Sequence, residues 1–164
     1  MRAAMIEVNG AAVVLRPERE SDRAFLRALH ASFHDHWPGH EGRPDAVWAA
    51  VVDQQFELQS RHYRMNFPGA EYWIVEDAAV AVGRLYLHAG PSEIRVMDIA
   101  LVPDARGRGL GESLLRGVID RARAAAARVT LEVEAANPAR RLYARLGFRE
   151  VVVDGPRVSM VWTA

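Results

Sequence analysis

The chain has 164 residues, a formal net charge of zero and a sequence pI near 7.0. It has no cysteine, which excludes disulfides and a thiol nucleophile, and its charge balance favours neither a nucleic-acid partner nor an anionic membrane. A domain of about 150 residues buries roughly 68–70% of its unfolded surface, so one domain over 1–164 needs no metal or disulfide for stability. The opening MRAAMIEVNGAAVV lacks the sustained apolar core of a signal peptide. Within it, MIEVNGAAVVLRP predicts strand, tight Asn-Gly turn, strand. ESDRAFLRALHASF predicts a helix with Phe25, Leu26 and Leu29 on one face and Ser21 or Asp22 as its cap. HDHWPGHEGRP is a loop by its proline and glycine content. After Pro44, Trp48, Val52 and Phe56 recur every four residues, the spacing of a second helix, and Tyr63 falls near the same stripe.

Beyond NFPGA the period changes to two. EYWIVED, AVAVGRLYLHA and EIRVMDIALV are three strands separated by turn signals, a meander. GLGESLLRGVIDRARAAAA carries Leu114, Leu115, Val118, Ile119 and Ala122 on one helical face. RVTLEVEA is a short strand. NPARRLYARLG is a helix with Asn137 as cap, Pro138 at its first position and Gly147 past its end. FREVVVD and RVSMVW close the chain as a hairpin around Gly155. No run reaches the roughly 18 apolar residues of a membrane span, and the expected location is cytoplasmic.

The order ββααβββαβαββ, with consecutive strands mostly hairpin-linked, implies an α/β fold of the mixed α+β kind: a central, largely antiparallel sheet with helices on both faces. One stretch differs. Strand 94–102, helix 109–127 and strand 129–135 form a βαβ unit whose strands must be parallel. Its first connection, PDARGRGLG, delivers three glycines and two arginines to a helix start. There the first amides have no internal partner and the helix dipole is positive. Glycines let an anion approach the backbone, and Arg106 and Arg108 add forked donors for phosphate oxygens. The loop therefore suits a pyrophosphate. Its glycines, 107, 109 and 111, are spaced G-x-G-x-G, whereas a dinucleotide fingerprint is G-x-G-x-x-G directly after the strand. A phosphate loop ending in Gly-Lys needs a lysine, and this chain has none.

DIALVPDARGRGLGESLL resembles the acyl-CoA segment of the GNAT superfamily of N-acetyltransferases, Arg/Gln-x-x-Gly-x-Gly/Ala, with Arg106, Gly109 and Gly111 in its three places. NPARRLYARLGF resembles the family's second segment through Asn137, Ala139, Tyr143 and Gly147-Phe148, and LRPERESD resembles its first strand and helix. The likeness spans residues 13–162, except that 34–70 resembles nothing assignable. It implies acetyl transfer from acetyl-CoA to a primary amine, by direct attack in a ternary complex. The coenzyme would lie along Ala100, Leu101 and Val102 and over Arg106, Gly107, Arg108, Gly109, Leu110, Gly111 and Glu112. Asn137, Arg140 and Tyr143 would complete its contacts. The implied partners are a small-molecule or peptide amine and, since dimers are common in the family, a second copy. The competing reading is a non-catalytic acyl-CoA sensor or interaction module on the same fold.

The attacking amine must be neutral. A lysine-like amine, pKa near 10.4, costs roughly 4–5 kcal/mol to deprotonate at pH 7, while a thiolate leaves from a pKa of about 8.5. A base or proton wire therefore matters more than an acid. Base candidates are Asp98, in the apolar run VMDIALV, and Glu132 and Glu134, which share one strand face. Each also fits a solvated or structurally paired carboxylate. Tyr143 is the acid candidate, and it also fits a core tyrosine on the Ala139–Leu142–Leu146 face. The resemblance implies the Leu101 amide as oxyanion donor. His34, His36 and His40 include a His-x-His pair, but no acid or cysteine set completes a metal site, and none is expected.

Overall fold

The computed structural model describes residues 4–8, 11–33 and 45–164. The Asn9-Gly10 turn and the three histidines at 34, 36 and 40 lie outside the described residues. The elements follow the order expected: β1 (Ala4–Val8), β2 (Ala11–Pro17), α1 (Arg23–Ala31), α2 (Asp45–Asn66), β3 (Glu71–Asp77), β4 (Val80–Ala89), β5 (Glu93–Leu101), α3 (Leu110–Ala124), β6 (Arg128–Glu134), α4 (Arg140–Arg145), β7 (Arg149–Asp154) and β8 (Arg157–Trp162). Short 3-10 turns occupy Glu20–Asp22 and Pro103–Ala105.

The strands form one eight-stranded sheet ordered β1-β2-β3-β4-β5-β6-β8-β7. Its neighbours are antiparallel except β5 and β6, which are parallel. That pair is short: Glu93–Val96 faces Arg128–Leu131, and from Met97 onward β5 has no strand on its β6 side among the described residues. The gap opens beside a bulge. Tyr86 pairs with Asp98 and Leu87 with Val96, so Met97 is an extra residue. The reason is written in the apolar spacing. Ile94 and Val96 are two positions apart, as are Ile99 and Leu101, but the step from Val96 to Ile99 is three. One inserted residue lets all four pack on the same core.

Helices α3 and α4 cover that face. Leu110, Leu114, Leu115, Val118, Ile119 and Ala122 bury the predicted stripe of α3 against Val75, Leu85, Val129 and Met160. Each fully buried leucine contributes roughly 1.5–3 kcal/mol. On the opposite face a separate apolar cluster joins Leu26 of α1, Phe56 of α2 and Ile74 of β3.

Three boundaries differ from expectation. Asp22 does not cap α1 through its side chain; it accepts two hydrogen bonds from the Arg16 guanidinium at 2.7 Å each and one from the Arg19 amide at 2.7 Å. A bidentate charge-assisted pair outcompetes a cap. Helix α3 runs 110–124 rather than 109–127, because Gly109 at φ 84° and Ala126 at φ 50° leave the right-handed region at either end. Helix α4 starts at Arg140: Asn137 does cap the segment, accepting the Ala139 amide at 2.9 Å, but Pro138 and Ala139 form a turn before the helix proper.

Candidate active site

The connection from β5 to α3 holds its glycines for backbone reasons. Gly107 (φ 71°) and Gly109 (φ 84°) occupy the left-handed region, which a side chain resists. Gly111 is different: a Cβ there would meet only Leu101 and Leu142 at 3.9 Å, so packing does not demand glycine. Among the described residues, the amides of Gly109, Leu110, Gly111 and Glu112 donate to no protein oxygen. They are the four orphan donors of a 15-residue helix, at its positive end. Both loop arginines are tethered. Arg106 donates from Nε to the Leu101 carbonyl at 2.9 Å and lies 4.4 Å from the Phe33 ring centroid. Arg108 pairs with Asp77 at 2.9 Å. Glu112 pairs with Arg116 at 2.7 Å.

The amide of Val102 donates to the Val82 carbonyl of β4 at 2.9 Å. Successive strand amides alternate in direction, so the Leu101 amide points the other way, into the gap where β6 has departed. Ala100 pairs with Arg84 of β4, and Leu101 with Gly83. A Cβ on Gly83 would stand 2.5 Å from the Ala100 carbonyl and 2.6 Å from the Leu101 side chain. Gly83 therefore permits the close approach that seats Leu101.

Asp98 lies against the guanidinium of Arg84, itself only 4% exposed. Nε and Nη2 of Arg84 donate to Oδ1 and Oδ2 of Asp98 at 3.2 and 2.8 Å. Tyr63 of α2 donates toward Asp98 Oδ2 and the Met97 carbonyl, 3.3 Å from each. Gln59 accepts from Arg84 at 3.2 Å. Burial and the adjacent Asp98 charge push the Tyr63 hydroxyl well above its ordinary range. Both oxygens of Asp98 are thus engaged in a buried polar knot at the bulge.

Glu132 and Glu134 project from one face of β6 and are exposed. With Tyr63, Phe67, Arg95 and Arg157 they line a cavity of about 470 Å³ beneath α2. Glu132 accepts from Arg95 at 2.6 Å and from Arg157 at 3.4 Å. Glu134 has no ion pair among the described residues. Trp48 and Trp73 are core, whereas Tyr63 lines the cavity.

Tyr143 sits on the other face, in the core with α3. A helix-ending motif fixes its turn: the Phe148 amide donates to the Tyr143 carbonyl at 3.0 Å and Gly147, at φ 92°, donates to Ala144 at 3.0 Å. Burial chiefly, then the Asp98 charge, raises its hydroxyl pKa. Arg140 donates to the Ala135 carbonyl at 2.5 Å and pairs with Glu150. With Asn137, Arg141 and Ala144 it lines a second cavity of about 450 Å³ at the start of α4.

The structure thus brings Leu101, the loop glycines and Tyr143 to the gap's α3 side and Glu132 and Glu134 to its α2 side. Sequence reasoning missed Arg84 and Gly83. Glycine inside a strand pattern is the signal for the second. Nothing local marks the first, because its burial depends on α2. Among the described residues, no group of three or more His, Cys, Asp or Glu is placed to hold a metal ion, and no helix is long and apolar enough to cross a membrane.

The model of the acetyltransferase (GNAT) family matches residues 24–148. A Bacillus subtilis (strain 168) protein assigned as a ribosomal protein bS18-alanine N-acetyltransferase is 30% identical over 90 residues, 54% of this chain. The match spans 60% of that relative's length. Among solved structures, PaiA N-acetyltransferase from Thermoplasma acidophilum in complex with coenzyme A superposes with a TM-score of 0.69 at 14% identity, covering 93% of this chain and 99% of that one. Mycobacterium smegmatis RimJ in complex with CoA-disulfide gives 0.64 at 22% identity, covering 99% and 87%. These structural likenesses show the fold. With the family model matching most of its length, the chain belongs to the GNAT acetyltransferase family.

Proposed function

We propose that the protein transfers an acetyl group from acetyl-CoA to an amine by direct attack in a ternary complex. The observation that carries this is the gap between β5 and β6. Orphan amides of α3 lie at one end of it, carboxylates on one face of the sheet and a buried tyrosine on the other. Coenzyme A fits the donor set: four free amides at the positive end of α3 match diphosphate oxygens, and Arg106 and Arg108 are near enough in sequence to turn onto them. The bound coenzyme supplies the thioester.

The chain's own groups then divide the work. Leu101 presents its amide where negative charge develops on the carbonyl oxygen, and removal of one such donor typically costs 10²–10³ in turnover. Glu134, unpaired and on the amine side, takes the proton directly or through water. Glu132 has both oxygens engaged by arginines and is less free to take it. Asp98 is a positioning residue: it fixes Tyr63 and the bulge through Arg84. Tyr143 faces the departing sulfur, and its raised pKa keeps the hydroxyl protonated as donor. Tyr143→Phe lowers kcat by about 10²-fold while coenzyme affinity stays within twofold. Unchanged kcat with chemistry rate-limiting removes Tyr143 from the mechanism. Tight coenzyme binding with no thiol release on any amine favours the sensor reading instead.

A further inference from the structure

Resting on the acetyl-transfer reading, we propose that the acceptor is an amine that carries a carboxylate, supplied by a free amino acid or by the N-terminus of an acidic peptide. The cavity beneath α2 holds two cations and two anions in a fixed order along the parting strands. Arg95 enters from β5 within the last stretch where β5 and β6 remain paired. Arg157 enters from β8, whose backbone lies opposite Glu134. Both guanidiniums converge on Glu132, at 2.6 and 3.4 Å. Glu134 follows two residues later, about 6.6 Å along the strand, toward the end where β5 and β6 have separated.

Each guanidinium has five N–H donors, and Glu132 takes one from each. Most of that forked donor capacity is left for a second carboxylate. Arg95 is steadied over the Phe67 ring, 5.5 Å from its centroid. Arg157 lines the same cavity as Tyr63. An ammonium at Glu134 and a carboxylate at Arg95 and Arg157 match the charge order of the cavity. A polyamine does not: with one nitrogen at Glu134, its next ammonium meets two guanidiniums, a repulsive element that rejects it. A plain alkylamine gains nothing from the arginines.

The experiment measures thiol release from acetyl-CoA with matched acceptors: phenylalanine against phenethylamine, alanine against ethylamine, Ala-Asp-amide against Ala-Ala-amide, and spermidine. The carboxylate-bearing member of at least one pair should have kcat/KM about tenfold higher, equal to roughly 1.4 kcal/mol. Arg157→Gln should erase that advantage through KM, Arg157→Lys should restore part of it, and the loss for the carboxylate-bearing member should exceed that for its uncharged partner. A preference within the amino-acid pairs identifies a free amino acid, and one within the dipeptide pair an acidic peptide. Equal or better use of spermidine or the plain amines overturns the proposal. So does an Arg157→Gln loss that is the same for both members of a pair, or failure of every carboxylate-bearing acceptor in an enzyme that binds coenzyme A. Failure to bind coenzyme A removes the acetyl-transfer reading itself, and this proposal with it.

Discussion

On the α3 face of the sheet, Leu114, Val75 and Val129 are fully buried in one apolar core. On the α2 face stand the buried Arg84 and the half-buried Asp98, with Tyr63 and Gln59 bonded to them. The first face is held by non-directional apolar burial, proportional to area. The second is held by hydrogen bonds that fix angles as well as distances. The gap between β5 and β6 opens beside the second kind of packing, so the polar face sets the geometry of the site while the apolar face supports the fold.

Separating the two faces by mutation should therefore separate stability from acceptor recognition. Arg84→Ala leaves the buried Asp98 charge without its guanidinium and should cost about 3–5 kcal/mol, read by denaturant unfolding. The double variant Arg84→Met with Asp98→Leu should regain most of that stability, since an apolar pair often replaces a buried ion pair without loss. It should still raise the KM for the acceptor, because Tyr63 has lost its anchor. Leu114→Ala on the other face should cost a similar 2–5 kcal/mol and leave that KM unchanged. If both variants move the acceptor KM alike, the contrast between the faces is wrong.

Smaller effects sharpen the same contrast. Gly83→Ala drives a methyl into the Ala100 carbonyl and the Leu101 side chain. It should destabilise by roughly 1–3 kcal/mol and lower turnover through Leu101. Retained turnover would mean that Leu101 need not sit where Gly83 lets it. The polar face should also respond to acid. Hydrogen bonds from Arg16 hold Asp22 below its ordinary carboxylate range, so the folded state binds this proton less readily than the unfolded chain. Its stabilisation is complete above the unfolded pKa, near 3.9, and is lost as pH falls through the lower folded value. Asp22→Asn should flatten that part of the stability profile. The exposed pair Arg123–Asp120, whose side chains are 59% and 69% exposed, should contribute under about 1 kcal/mol and serves as the control.

Much of this was legible in the sequence because it depends on local chemistry. The order of strands and helices follows turn residues and period. The stripe of α3, the Asn137 cap and the Gly147 stop all act over a few residues. So does the glycine loop, whose left-handed backbone needs glycine at 107 and 109. The three-residue step from Val96 to Ile99 is the local mark of the bulge, an interruption of strict alternation. The cavity beneath α2 was not legible. It is assembled from α2, β5, β6 and β8, elements that are far apart in the chain. In GRLYLHA the alternation sets Arg84 and Tyr86 opposite Leu85 and Leu87, but says nothing of the helix that will bury them. Asp98 fits a structurally paired carboxylate as well as a base in the sequence, and its partner Arg84 lies fourteen residues upstream, beyond any local pattern.

The most direct measurement is a calorimetric titration of coenzyme A into the protein and into Gly109→Glu. The substitution puts a side chain at φ 84°, a strain of about 1–2 kcal/mol, and a carboxylate among the free amides of α3. The wild type should bind one coenzyme per chain, and the variant, still folded by its thermal transition, should bind at least about 100-fold more weakly, roughly 2.7 kcal/mol. Equal affinity in the two proteins would place the diphosphate away from the start of α3 and contradict the account.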